Sequence, residues 1–140
     1  MKLADLLRRT LLVAGISAAS ISSAGGTVVY HINDATNARA LLGNVQNHLS
    51  ASPDTRIHVV SNGKGIDFLL RDSIDSGGKP FAPAVQGLAG QGVAFKMSRN
   101  TLKVRDLGDD AVTPDASIVP AGVVEIARLQ LEEKASYIKP

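Results

Sequence analysis

Histidine, serine, arginine and asparagine are the side chains whose placement first suggests chemistry in this chain, whose 140 residues include no cysteine. Without a thiolate there is no disulfide, no sulfur ligand for a metal and no cysteine nucleophile. Ser98-Arg99-Asn100-Thr101 is the first candidate. It stands where an apolar run gives way to a helical pattern, and the free backbone N–H groups of such a turn favour an anion. Arg99 would add a bidentate charge, and Ser98 and Thr101 would add hydroxyl contacts. The competing reading is local: Ser98 or Asn100 caps the helix that follows.

Asn62-Gly63-Lys64-Gly65 invites a phosphate, yet it has the spacing of neither a Walker loop nor a dinucleotide fingerprint. Two glycines around a lysine read more simply as a turn that needs positive φ. His31, His48 and His58 share no i, i+4 face and form no compact metal motif. His31 lies near the end of an apolar run, where with Ser98 it would make a base–nucleophile pair, though no orienting acid is evident. Asp106, Asp109, Asp110 and Asp115 lack the ligand spacing of a calcium loop and read as a solvated segment. Glu125 sits among apolar helical positions, and burial there demands a charge partner, Lys96 and Arg99 being candidates, or a place at a subunit interface.

The elements that position these residues follow from periodicity. Residues 27–32 are β-branched and aromatic, a buried strand. Asp34 or Thr36 then caps a helix whose apolar face is Ala38, Leu41, Leu42, Val45 and Leu49. Further strands are expected at 56–60, 93–97 and 117–119, with a final edge strand at 137–138. Helices are expected over about 66–75 and 83–88, from Ser98 through about 107, and from Pro120 onward. The last carries Val123, Val124, Ile126, Ala127, Leu129 and Leu131, a face wide enough for more than one neighbour. Alternating strands and helices call for a mostly parallel, three-layer α/β sheet of about five strands with helices on both faces. Ligands in such folds gather beyond the carboxyl ends of the strands. Those ends carry His31 and Asn33, Asn62 and Gly63, and Ser98 to Thr101.

Residues 1–24 read as an address. Lys2, Arg8 and Arg9 lead a charge-free apolar run that closes on Ser22-Ser23-Ala24, the layout of a cleaved secretory signal. The run is about 12 residues, too short to cross a hydrocarbon core, so no stable membrane insertion is expected after cleavage. The leader also holds the entire formal excess of +2, which leaves 25–140 neutral. A neutral domain has no electrostatic footprint for nucleic acid. Export to the periplasm or beyond is the expected localisation.

Val29-Tyr30-His31-Ile32-Asn33-Asp34, Asn47-His48-Leu49 and Val59 to Gly65 resemble the DsrE-like family of small α/β proteins. Arg99-Asn100-Thr101-Leu102, Val119 to Gln130 and the ending Tyr137-Ile138-Lys139-Pro140 extend the resemblance over nearly all of 25–140. The resemblance implies a flavodoxin-like fold, a homo- or hetero-oligomer, with a homo-oligomer expected here, and a link to sulfur relay. Some members hold a persulfide on a cysteine at the position matched by Ser98, and a serine hydroxyl cannot hold one. The resulting expectation is a single exported domain, 25–140, acting as a non-catalytic accessory protein. It would hold a small anionic or sulfur-containing ligand with Ser98, Arg99, Asn100, Thr101, His31, Asn33, Asn62 and Gly63, and use neither metal nor cofactor. Two other classes stay open: a structural, partner-binding homo-oligomer with a vestigial pocket, and a hydrolase using His31 and Ser98.

Overall fold

The computed structural model describes residues 25–140, so the expected signal segment 1–24 lies outside the described residues. Five strands form one parallel sheet: β1 (Thr27–Asp34), β2 (Arg56–Lys64), β3 (Ala94–Ser98), β4 (Ala116–Val119) and β5 (Ser136–Ile138). Their spatial order is β4-β3-β2-β1-β5. Four helices connect them: α1 (Ala38–Ala51), α2 (Ala82–Gly90), α3 (Arg99–Val104) and α4 (Gly122–Glu132). The chain steps outward from β1 to β4 in one direction, and α4 then carries it back to the far side of β1. Right-handed crossovers put the first three helices on one face and the returning one on the other.

The pleat divides the side chains accordingly. Val28, Tyr30, Ile32, Ile57, Val59, Phe95 and Met97 join the larger core with Leu41, Val45, Val85 and Leu102 from α1, α2 and α3. Val29 and Val60 turn to the opposite face and meet Ile126 and Leu129 of α4 in a much smaller core. Phe68 packs edge-to-face on both Phe81 and Phe95, a favoured aromatic geometry.

Asp34 caps as its type predicts. Its carboxylate accepts the Thr36 N–H at 3.0 Å and starts a short 3-10 turn that runs into α1. The helix expected over 66–75 does not form. A 3-10 turn at Asp67–Leu69 buries Phe68 and Leu69 and then stops. Asp72 takes a positive φ of 57°, and the following chain folds into a loop in which Ile74 bridges Pro80. The loop's backbone finds its partners elsewhere, Arg71 N–H on the Ala111 carbonyl and Thr113 N–H on that of Leu69, so no helix is needed to satisfy it. At the end of β2, Gly65 approaches β1 so closely that a Cβ would stand 2.2 Å from the Ile32 carbonyl oxygen. No other residue fits there.

The last helix also departs from expectation. Its apolar face is narrower than the sequence implies: Ile126 and Leu129 are buried, while Val123, Val124 and Leu131 are exposed. Glu125 faces the sheet instead. Its carboxylate bonds to Lys96 Nζ and receives Arg128 Nη2 at 2.8 Å and Nε at 2.9 Å. The Glu125 and Lys96 side chains are only 11% and 14% exposed. Of the two partners expected for Glu125, Lys96 is the one it meets. The Arg128 guanidinium, with Lys96 adding to it, overcomes burial and holds the carboxyl down at about 2.

A carboxyl depressed in the folded state stabilises it above the unfolded group's pKa, and that stability is lost as pH falls through the folded value. Glu125→Gln is therefore expected to unfold at lower urea than the unsubstituted protein at neutral pH. The difference should close as pH falls from about 4.5 toward about 2, read from urea midpoints across that range.

Candidate functional site

The strands' carboxyl ends separate the expected residues into two clusters on opposite faces of the sheet. Gly63, Asn100 and Thr101 line an open groove of about 700 Å³ together with Lys64, Asp67, Val104 and Arg105. Gly63 adopts φ 55°, the left-handed conformation that its run anticipates. Its N–H donates to Thr101 Oγ1 at 3.0 Å, which ties the end of β2 to the first turn of α3. Arg105 pairs with Asp67 across the groove. Lys64 makes no ion pair among the described residues. Asp34, its register partner on β1, has its carboxyl held low chiefly by the Thr36 N–H, with Lys64 a lesser cause. Val104 is 87% exposed and gives the groove an apolar lip.

Arg99 is committed elsewhere. It forks onto Asp109, Nη1 to Oδ1 at 2.8 Å and Nη2 to Oδ2 at 3.1 Å. The acidic segment thus closes over the donors that the sequence offers to an anion. The pair is exposed, so its contribution to stability is small.

Ser98 is buried, and its hydroxyl accepts the Gly122 N–H at 3.1 Å. It precedes α3 without capping it. Its role is instead to satisfy a backbone donor at the start of α4, a helix whose own preceding residue, Ala121, offers no side-chain cap. Gly122 fits because a Cβ there would already touch Asn62, Ser98 and Val60 at 3.4 Å.

His31 and Asn62 form the second cluster, on the α4 face. Nε2 of His31 meets Asn62 Oδ1 at 3.1 Å, and Nδ1 meets the Tyr137 hydroxyl at 2.6 Å. His31 and Ser98 therefore share a face but bond to different partners. Asn33 is exposed at the end of β1, with its backbone against the Gly63–Gly65 turn. His48 bonds to the Tyr30 hydroxyl at 2.9 Å. His58 is enclosed beside Lys96 and Glu133; burial, then the Lys96 charge, disfavours its protonated form. Among the described residues no group of three or more His, Asp or Glu side chains is placed to hold a metal ion, and no helix is long and apolar enough to cross a membrane.

Arg105 is a groove residue that the sequence reading left out, and Lys64 is one it named in the glycine turn but did not place among the ligand residues. Lys64 had a signal, since it stands inside the glycine turn; Arg105 had none beyond its place one turn after Thr101. Tyr137 had none that linked it to His31, 106 residues away.

The family model described as the DsrE/DsrF-like family matches residues 16–140. A solved structure of a protein of unknown function from Methanobacterium thermoautotrophicum is similar, at 33% identity and a TM-score of 0.73. The match covers 82% of this chain and 99% of that one. No curated protein matches the chain.

Ser98→Ala removes the cap of α4 and leaves the groove untouched. It is expected to cost about 1 kcal/mol, seen as a lower denaturant midpoint with an unchanged denaturant slope.

Proposed function

Because this chain belongs to the DsrE/DsrF-like family, we propose that it is an exported accessory protein of sulfur metabolism that holds a small anion at the carboxyl ends of its strands, binding it without catalysis in that groove. The observation that carries the reading is Lys64, a cation that makes no ion pair among the described residues and lines a groove of about 700 Å³. Gly63, Asn100 and Thr101 supply polar contacts around it, and Val104 shields one side. Such a site suits a small oxyanion or thio-oxyanion, which needs one full positive charge and a few oriented donors. Arg99 acts at a distance: its fork on Asp109 fixes the segment behind α3.

Export accounts for the basic leader and the apolar run of 1–24. Ser98, at the position where related chains carry cysteine, excludes a persulfide carried there and turns that position to structure.

The test is calorimetric titration of residues 25–140 with sulfate and with thiosulfate. Lys64→Ala is expected to weaken binding about tenfold, the worth of one charge-assisted contact. Arg99→Ala should weaken it less. Absence of binding of either anion to the unsubstituted protein would remove the reading.

Assembly into a homo-oligomer is supported by a separate observation, the exposure of Val123, Val124 and Leu131 on α4 at 61%, 62% and 82%. Isolated apolar side chains are ordinary on surfaces, but three on one helix favour a helix-to-helix contact between copies. Native mass spectrometry should report a multimer that Val124→Asp dissociates. A monomer in the unsubstituted protein would refute this, and a multimer that binds neither anion would favour a structural role.

A further inference from the structure

The His31–Tyr137 pair has the arrangement of a base and a nucleophile. Asn62 Oδ1 is an acceptor only, so the His31 Nε2 that meets it at 3.1 Å carries the ring proton. Nδ1 of the neutral ring is then the acceptor, and the Tyr137 hydroxyl at 2.6 Å donates to it. Asn62 thereby fixes the tautomer in which the imidazole can remove the phenolic proton. His31 lies near the carboxyl end of β1 and Tyr137 on β5, the two strands between which the sheet order reverses. That is the position where open parallel sheets place their ligands. Tyr137 is 43% exposed, so the hydroxyl is reachable.

We propose that Tyr137 is an acyl acceptor, activated by His31, for acyl thioesters. The Tyr137 oxygen attacks the thioester carbonyl carbon while its proton passes to His31 Nδ1. The tetrahedral adduct then expels the thiolate, which takes that proton from His31 and leaves as a thiol. An aryl ester remains on Tyr137. Water returns the enzyme by the reverse choreography: it gives its proton to His31, attacks the aryl ester, and releases a carboxylic acid as the phenol is restored. No oxidant or reductant is involved.

The substrate class follows from the leaving group. A tyrosine phenolate, with a pKa of about 10, competes with the departing group for expulsion. A thiolate, at about 8.5, leaves in preference. An alkoxide is far more basic and does not, so alkyl esters and amides are excluded. Acylation uses a hydroxyl already held on His31 Nδ1 at 2.6 Å, whereas hydrolysis must recruit water from solvent, so the acyl-tyrosine should accumulate. The site lies on the opposite face from the Lys64 groove and does not depend on anion binding there.

The experiment is to incubate residues 25–140 with the acetyl thioester of N-acetylcysteamine at neutral pH and to follow intact mass and a peptide map. One acetyl group on Tyr137 is expected, with none from ethyl acetate. His31→Gln should slow that acetylation roughly a hundredfold, the scale of one general base. Tyr137→Phe should abolish it. Asn62→Asp, which keeps the acceptor, should retain labelling that Asn62→Leu loses. Acetyl groups found only on lysines in the unsubstituted protein would overturn the proposal. So would Tyr137 labelling that His31→Gln leaves at the same rate.

Discussion

Side chains along a β-strand point alternately to the two faces of the sheet, and a parallel sheet must cover both. In this protein three helices cover one face and α4 alone covers most of the other. The first face receives nearly every large apolar side chain. The second receives His31, His58, Asn62, Lys96 and Ser98, side chains one position out of phase with the core. A single helix cannot bury so many polar groups in hydrocarbon, so α4 brings Glu125, itself held by Arg128, to meet Lys96 and lends its first N–H to Ser98. The charged layer under α4 follows from the pleat. Its value is geometric more than energetic, since a buried ion pair gives back in attraction much of what its desolvation takes.

The same alternation keeps the two clusters apart. The groove beside Lys64 belongs to the end of β2 and to α3, on the apolar side of the sheet. The His31 cluster opens on the α4 side, against β5. Gly63 and Asn62 are neighbours in sequence, yet they serve different clusters because adjacent strand residues diverge.

Much of the fold was legible in local pattern. The β-branched run of β1, the Asp34 cap and the apolar face of α1 all read directly, because each depends on residues within a turn or two of one another. The short helix expected over 66–75 failed for a different reason. Phe68 and Leu69 satisfy the core in one 3-10 turn, and Asp72 at positive φ then redirects the chain. No spacing rule carries that information. The candidate site was legible as a set of residues but not as a set of partners. Arg99 looks like a free fork until Asp109 is folded onto it, and Ser98 looks like a cap for α3 until α4 arrives 24 residues later. Contacts of that range are set by topology, and topology is where sequence pattern is weakest.

The sheet also ends in a particular way on each side. β4 and β5, its two outer strands, are four and three residues long. Val119 is followed directly by Pro120, and Lys139 by Pro140, residues with no N–H to offer a neighbouring strand. Among the described residues neither margin presents a long ladder of free donors and acceptors. Growth by strand addition, the route to fibrils and to continuous intermolecular sheets, is thereby discouraged at both margins, and contact between molecules is left to the helical faces.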